Sequence, residues 1–420
     1  MKVILPYEQD NIEVEIPEQY IAAVLEPNEV SRCSDPAAAV SEAAASPAGT
    51  VPYEKFLQAP GRLLVIVNDG TRPTPTRIVL ETLADGLDTA ETEFIVATGV
   101  HRAPTEEELN YIFGDTLDRF RDRISAHDAR NDETYSLGTT PRGTELLLNT
   151  KVREAERVLI IGSVEPHYFA GYTGGRKGFL PGVAAFSTIE QNHKLALSPD
   201  ARTLALEGNP VHEDMLEACR LIDKNVFTIM TVLDGNQEIY AVTAGGLTQA
   251  FEEAVKKANE VFVAPLEKQA DVVIACAKYP MDIDLYQSQK AIENAKLALK
   301  PGGTLILVSA CRDGIGEDAF SRLLSSCSSP DAVFNKIEDG YKLGYHKAAK
   351  IAEICSTARV AAYTGLEPEV LKSVFIEPLN DLQKTIDDLL SGKPGSDAAR
   401  VVIMPDASVT VPKQLKRWSR

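Results

Sequence analysis

Five short strand-like runs constrain this chain more than any other feature: Leu63–Val67 (LLVIV), Glu93–Ala97 (EFIVA), Arg157–Gly162 (RVLIIG), Asp271–Cys276 (DVVIAC) and Thr304–Val308 (TLILV). Near-continuous apolar runs of this length suit parallel strands covered by helices on both faces. Longer stretches with helix signals separate them, an alternation that predicts an α/β fold with mainly parallel sheets. Asp35-Pro36 opens an Ala-rich stretch, with Pro suited to a first helical turn. Thr105 and Glu108 have capping-box spacing, and Gly114 can end that helix. Ser187 and Glu190 repeat the spacing, predicting a helix over 188–197.

A chain of 420 residues exceeds one ordinary core, so two domains are expected. A charged helical segment ends near Pro265–Gln269, and a buried strand follows. This predicts an α/β domain over 1–265, where cofactor and catalysis would sit, and a second over 270–393. The site is expected in the cleft between them. Ser391-Gly392-Lys393-Pro394-Gly395-Ser396 reads as a linker, and 397–420, with one more strand at Val401–Met404, is a candidate to complete the first domain.

The net charge of -18 opposes nucleic acid phosphates and argues against a DNA or RNA partner, while leaving room for a local basic pocket. No apolar run approaches a membrane span, and the start, Met1-Lys2-Val3-Ile4-Leu5-Pro6, does not read as a signal peptide. Cytoplasm is the expected compartment. The six cysteines, Cys33, Cys219, Cys276, Cys311, Cys327 and Cys355, form no CxxC pair and read as reduced thiols.

Polar residues collect just beyond the strands, where open α/β sheets bind ligands. After Leu63–Val67 comes Asn68-Asp69-Gly70-Thr71-Arg72-Pro73-Thr74-Pro75. Arg72 can clamp a carboxylate through two parallel hydrogen bonds, although Asp-Gly and two prolines are also ordinary turn chemistry. Ala97-Thr98-Gly99-Val100-His101-Arg102 places His101 on a strand-to-helix loop. After Arg157–Gly162 comes Glu165-Pro166-His167, then five glycines in the twelve residues from Gly171, with Arg176 and Lys177 among them as an anion site requires. This is neither a Walker A loop nor GxGxxG. His193 follows on the next helix, where a lone histidine usually faces solvent. Gln287 and Lys290 are three apart, so a helix would put them on one face. His127, His212 and His346 read as structural. No HExxH, GxSxG or catalytic-Cys motif occurs. These residues point to an enzyme acting on a small anion.

Asp69–Pro75, Ala97–Arg102, Glu165–Gly178 and His193 together resemble the nickel-dependent lactate racemase family, including the spacing of ten from His167 to Lys177 and sixteen from Lys177 to His193. The resemblance runs from about Pro6 to about Asp406; it is most specific over Glu165–Lys194 and looser at Gln287 and Lys290. It implies a nickel pincer nucleotide, a pyridinium mononucleotide whose two thio-acid arms hold nickel through sulfur, carbon and sulfur. It implies that Lys177 joins one arm covalently as a thioamide and that His193 is the fourth nickel ligand. It implies that His101 and His167 are the two acid/bases, that Arg72 and Lys290 hold the substrate carboxylate, and that Asp69 and Gln287 orient the site or the cofactor. Gly174 and Gly175 would admit the cofactor's bulk.

The function so implied is interconversion of D- and L-lactate by reversible hydride transfer. Removing hydride leaves a stable ketone, whereas a carbanion beside a carboxylate is unfavourable. Two further readings stand beside it. One keeps the cofactor but acts on malate, a longer or aromatic 2-hydroxyacid, or a sugar acid. The other is a metabolite-binding protein without turnover. Expected partners are the small hydroxyacid and the enzymes that make the cofactor.

Overall fold

A computed structural model of the chain describes residues 1–391 and 399–415. Contacts divide it into two compact units, one of Glu29–Val261 and one of Met1–Asn28 with Phe262–Arg420.

In the unit 29–261 a six-stranded sheet runs in the order Ile239–Gly245, Asn225–Leu233, Arg157–Ser163, Leu63–Asn68, Thr92–Ala97, Ile124–Ala126. Every neighbouring pair is parallel except the first, an antiparallel edge. Along Leu63–Val67 five successive residues are buried, as a strand covered on both faces requires. Val65, Val67, Phe94, Val96, Leu159 and Ile161 face one side and pack with Val79, Leu80 and Leu87 of the helix Thr76–Leu87 and with Phe113 and Phe120. The expected caps at Asp35 and Thr105 form: Asp35 accepts from Ala38 N at 3.0 Å, and Thr105 and Glu108 bond reciprocally.

The expected cap at Ser187 does not form. The helix is Phe186–Lys194 and its N-cap is Ala185, which makes no side-chain bond. The entry is set instead by tertiary backbone pairing, Ala185 N to Leu147 O at 2.9 Å and Phe186 N to Ala129 O at 2.8 Å. Ser187 therefore lies inside the first turn.

In the other unit a second six-stranded sheet runs Glu377–Pro378, Arg359–Tyr363, Leu299–Val308, Ala270–Cys276, Val401–Met404, Ile21–Val24, with all pairs parallel. The strand Val401–Met404 thus lies beside Ala270–Cys276 and does not complete the first domain. Residues 1–28 also belong here: Val3, Leu5, Val14 and Ile16 share a core with Val272, Ile274, Ile306 and Ile403. The reason is pairing, since the four buried residues of Val401–Met404 need a strand on each side, and Ile21–Val24 supplies the outer one. Of the expected linker, Gly392–Ser396 lies outside the described residues. No helix among the described residues is long and apolar enough to cross a membrane.

Candidate active site

Leu63–Asn68 and Arg157–Ser163 are neighbours in the sheet, yet the chain leaves them in opposite directions. From the first it proceeds to Thr92–Ala97 and Ile124–Ala126, and from the second to Asn225–Leu233 on the other flank. Such a reversal opens a crevice beyond the carboxyl ends of the two strands. A pocket occupies that position, lined by Asn68, Arg72, Ser163, Gly174, Gly175 and Lys177 among others. The two strand ends are tied together beneath it: Asn68 Nδ2 donates to Thr74 Oγ1 at 2.7 Å, and the Thr74 and Ser163 hydroxyls lie 2.8 Å apart.

Asp69, next to the pocket-lining Asn68, is buried at 6% exposure. Its Oδ2 lies 2.6 Å from His101 Nδ1, and its Oδ1 accepts from Thr71 Oγ1 at 2.7 Å and Thr71 N at 3.2 Å. Burial raises the Asp69 pKa, but the His101 hydrogen bond and charge, the Thr71 bond and Arg72 outweigh it and leave the pKa below the ordinary value. The carboxylate therefore accepts a proton-bearing Nδ1, which fixes the tautomer of His101 and leaves Nε2 as the nitrogen that exchanges protons.

His167 is held differently. It stands on a two-residue ladder in which Pro166–His167 pairs with Gly171–Tyr172. Its Nδ1 accepts from Ala170 N at 3.3 Å and Phe169 N at 3.5 Å, so in the neutral ring Nε2 carries the hydrogen. The two imidazoles thus present opposite Nε2 states when neutral, one a lone pair and the other an N–H.

The Phe169 ring joins the next three groups. It lies edge-on to His167 at 4.5 Å and to His193 at 5.1 Å between centroids, and Lys177 Nζ sits 5.6 Å from its centroid. Gly174 (φ 78°) and Gly175 (φ 54°) take left-handed backbone that only glycine adopts readily, and they turn the chain so that Lys177 lines the pocket. A Cβ at Gly174 would also lie 2.8 Å from Ser163 O.

His193 comes from the helix Phe186–Lys194. The adjacent Asn192 is fully buried and donates to Asp214 Oδ2 at 2.8 Å, and Asp214 also accepts from Thr144 at 2.8 Å and Thr140 at 2.5 Å. This network fixes the helix against the hairpin Thr134–Thr139 and Glu145–Asn149. Burial, with the Lys177 charge nearby, pushes the His193 imidazole down to about 3, against a hydrogen bond to the Ile189 backbone. It is neutral at physiological pH, the state that ligates a metal. Among the described residues no three His, Cys, Asp or Glu side chains converge as a metal site. A metal beside His193 would therefore take its other donors from a non-protein group.

Of the sequence-predicted residues, Asp69, Arg72, His101, His167, Gly174, Gly175, Lys177 and His193 all lie in the unit 29–261. Gln287 and Lys290 lie in the other unit, on the helix Leu285–Ala295, whose first turn is capped by Asp284. Arg176 departs from expectation. It is 1% exposed and turned into the core, not toward an anion in the pocket. His127 is structural, with Nε2 2.9 Å from Ala184 O, and so is the buried His212, stacked on Phe251. All six cysteines are free. Phe169 was missed; its only signal was its place between His167 and Lys177.

Comparison with known proteins shows the family of the chain. Residues 7–204 match the lactate racemase N-terminal domain family and residues 266–411 the lactate racemase C-terminal domain family. The chain is 31% identical over 399 residues to a lactate racemase of Thermoanaerobacterium thermosaccharolyticum, covering 91% of this chain and 92% of that one. It is 30% identical over 376 residues to a lactate racemase of Lactiplantibacillus plantarum, covering 86% and 87%. The lactate racemase apoprotein structure from T. thermosaccharolyticum superposes with a TM-score of 0.89 at 28% identity, covering 98% of this chain and all of that one. A Thermotoga maritima protein at 16% identity and TM-score 0.71 shares the fold. The chain belongs to the lactate racemase family and is an isomerase, a racemase.

Proposed function

We propose that this chain racemises lactate or a close 2-hydroxyacid with a nickel pincer nucleotide held by Lys177 and His193. The observation that carries the reading is the convergence of a neutral His193, Lys177 and His167 on the Phe169 ring beside a pocket lined by Arg72. A single neutral imidazole beside an amine fits a group that brings three of its own donors and needs one protein ligand and one point of attachment.

When bound, the cofactor supplies the reversible hydride acceptor. The protein's own groups do the rest. Arg72 pairs its guanidinium with the substrate carboxylate; by the family resemblance Lys290 shares that carboxylate, and Gln287 orients the site or the cofactor. His101 takes the hydroxyl proton at Nε2 as the C–H bond breaks, while Asp69 steadies the imidazolium that forms. His167 is the acid/base for the opposite enantiomer, and it gives the oxygen a proton only from its imidazolium form. The enzymes that make the cofactor are the expected partners and the cytoplasm the expected compartment.

The test is nickel content. Protein co-produced with the cofactor-making enzymes should carry about one nickel per chain, and His193→Ala should lose it. Undiminished nickel in that variant would remove His193 as the ligand. Rates for malate, an aromatic 2-hydroxyacid and a sugar acid, measured beside lactate, rank the substrates, with lactate expected fastest.

A further inference from the structure

Among the described residues Arg176 is the largest fully buried side chain, at 1% exposure, and no carboxylate pairs with it. Burial pushes its guanidinium down to about 9, still above physiological pH, so a positive charge sits in the core without an acidic partner. Such a charge is costly unless its hydrogen bonds do something the fold requires. Its bonds are specific. Nη2 donates to Ala170 O at 2.8 Å and to Tyr172 O at 2.9 Å, and Nη1 donates to Gly174 O at 3.2 Å. The guanidinium lies over the Phe251 ring, 4.4 Å from its centroid. Phe251 also packs beneath Gly175, where a Cβ would approach it to 3.2 Å.

These three carbonyls belong to the segment that runs from His167 to Lys177. The Gly174 carbonyl is shared, because it also accepts the backbone N–H of Lys177 at 3.2 Å. The group that fixes Arg176's fork thus also fixes the start of the turn that carries Lys177. A planar fork can span three carbonyls at set angles, which a lysine ammonium, a point charge on a flexible stem, cannot do.

We propose that Arg176 is a positioning residue that holds the Ala170–Gly174 backbone so that the Lys177 amine is presented for attachment to the cofactor. The inference rests on the reading of Lys177 given under the proposed function. In attachment the Lys177 nitrogen forms one C–N bond to the thiocarboxylic carbon of an arm. That carbon loses its bond to oxygen, and water leaves with the oxygen and two protons. The amine must reach that carbon at a defined angle, and displacement of the turn removes that approach.

Native chain and Arg176→Lys are co-produced with the cofactor-making enzymes, and intact mass with peptide mapping gives the fraction carrying the mononucleotide on Lys177. In parallel, the two apoproteins are acetylated with acetic anhydride to read the amine's intrinsic reactivity. The expected result is a split. Folded R176K loses attachment by about 10-fold or more, while Lys177 acetylates at the native rate. Native-level attachment in folded R176K overturns the proposal, and so does attachment falling in step with acetylation, since Arg176 would then tune the amine and not place it. A native chain with no adduct overturns the Lys177 reading itself and this inference with it. If R176K does not fold, Phe251→Leu takes its place. Loss of attachment in that folded variant, with acetylation unchanged, supports the proposal, and native-level attachment overturns it.

Discussion

At the scale of residues, the two candidate acid/base histidines each have Nδ1 held by hydrogen bonds from or to their neighbours. Asp69 does this for His101, and the backbone N–H groups of Ala170 and Phe169 do it for His167. Asp69→Asn should therefore lower kcat on the order of 10²–10⁴-fold, because an amide lets the His101 ring adopt the other tautomer. Nickel content should not change, since Asp69 touches His101 and not His193. The same pair makes a stability prediction. The Asp69 pKa is depressed in the folded protein, so its contribution is fully present above the unfolded carboxylate value of about 3.9 and is lost as pH falls through the lower folded value. Melting temperatures of native and D69N chains should differ at neutral pH and converge below about pH 4; a gap that persisted undiminished in acid would contradict the pairing. The placement of His101, His167 and Lys177 beyond strand ends was legible in the sequence, because each comes after an unbroken apolar run. Phe169 and Arg176 were not, because what matters in them is convergence in space: one ring meeting three groups, and one guanidinium meeting three carbonyls.

At the scale of elements, the strands were the most legible part of the molecule and the terminal segments the least. Leu63–Val67 and Arg157–Gly162 read directly as parallel strands because burial on both faces leaves an unbroken apolar run. The Ser187 cap was misread because local spacing competes there with backbone pairing to Leu147 and Ala129, and the pairing wins. The strand Val401–Met404 was seen as a candidate to complete the first domain and instead lies in the other unit, since sequence spacing carries no record of which sheet a late strand joins. Its neighbour Ile21–Val24 and the hairpin Lys2–Tyr7 with Asp10–Glu15 belong to the same unit. Removing residues 1–28 should therefore destabilise the unit that holds 270–404. Val3, Leu5, Val14 and Ile16 are all buried, and each contributes about 1.5–3 kcal/mol. Hydrogen exchange should show the loss on the strands Ala270–Cys276 and Val401–Met404; protection lost instead on Leu63–Asn68 would contradict the assignment.

At the scale of the whole molecule, the chain carries a net charge of -18 and yet concentrates Arg72 and Lys177 at one pocket. That local reversal of sign suits a small anionic substrate in a protein that otherwise repels anions. The two sheets share an architecture, but the reversal of chain direction between Leu63–Asn68 and Arg157–Ser163 gives the pocket its place, and the loops beyond those strands give it its chemistry. The claim that these parts make a racemase is tested most directly by giving enantiopure L-lactate, and separately D-lactate, to the nickel-loaded protein and following both enantiomers by chiral chromatography. The account predicts that either starting acid runs to the same equal mixture. Lactate that stays enantiopure in the presence of fully loaded protein would contradict it.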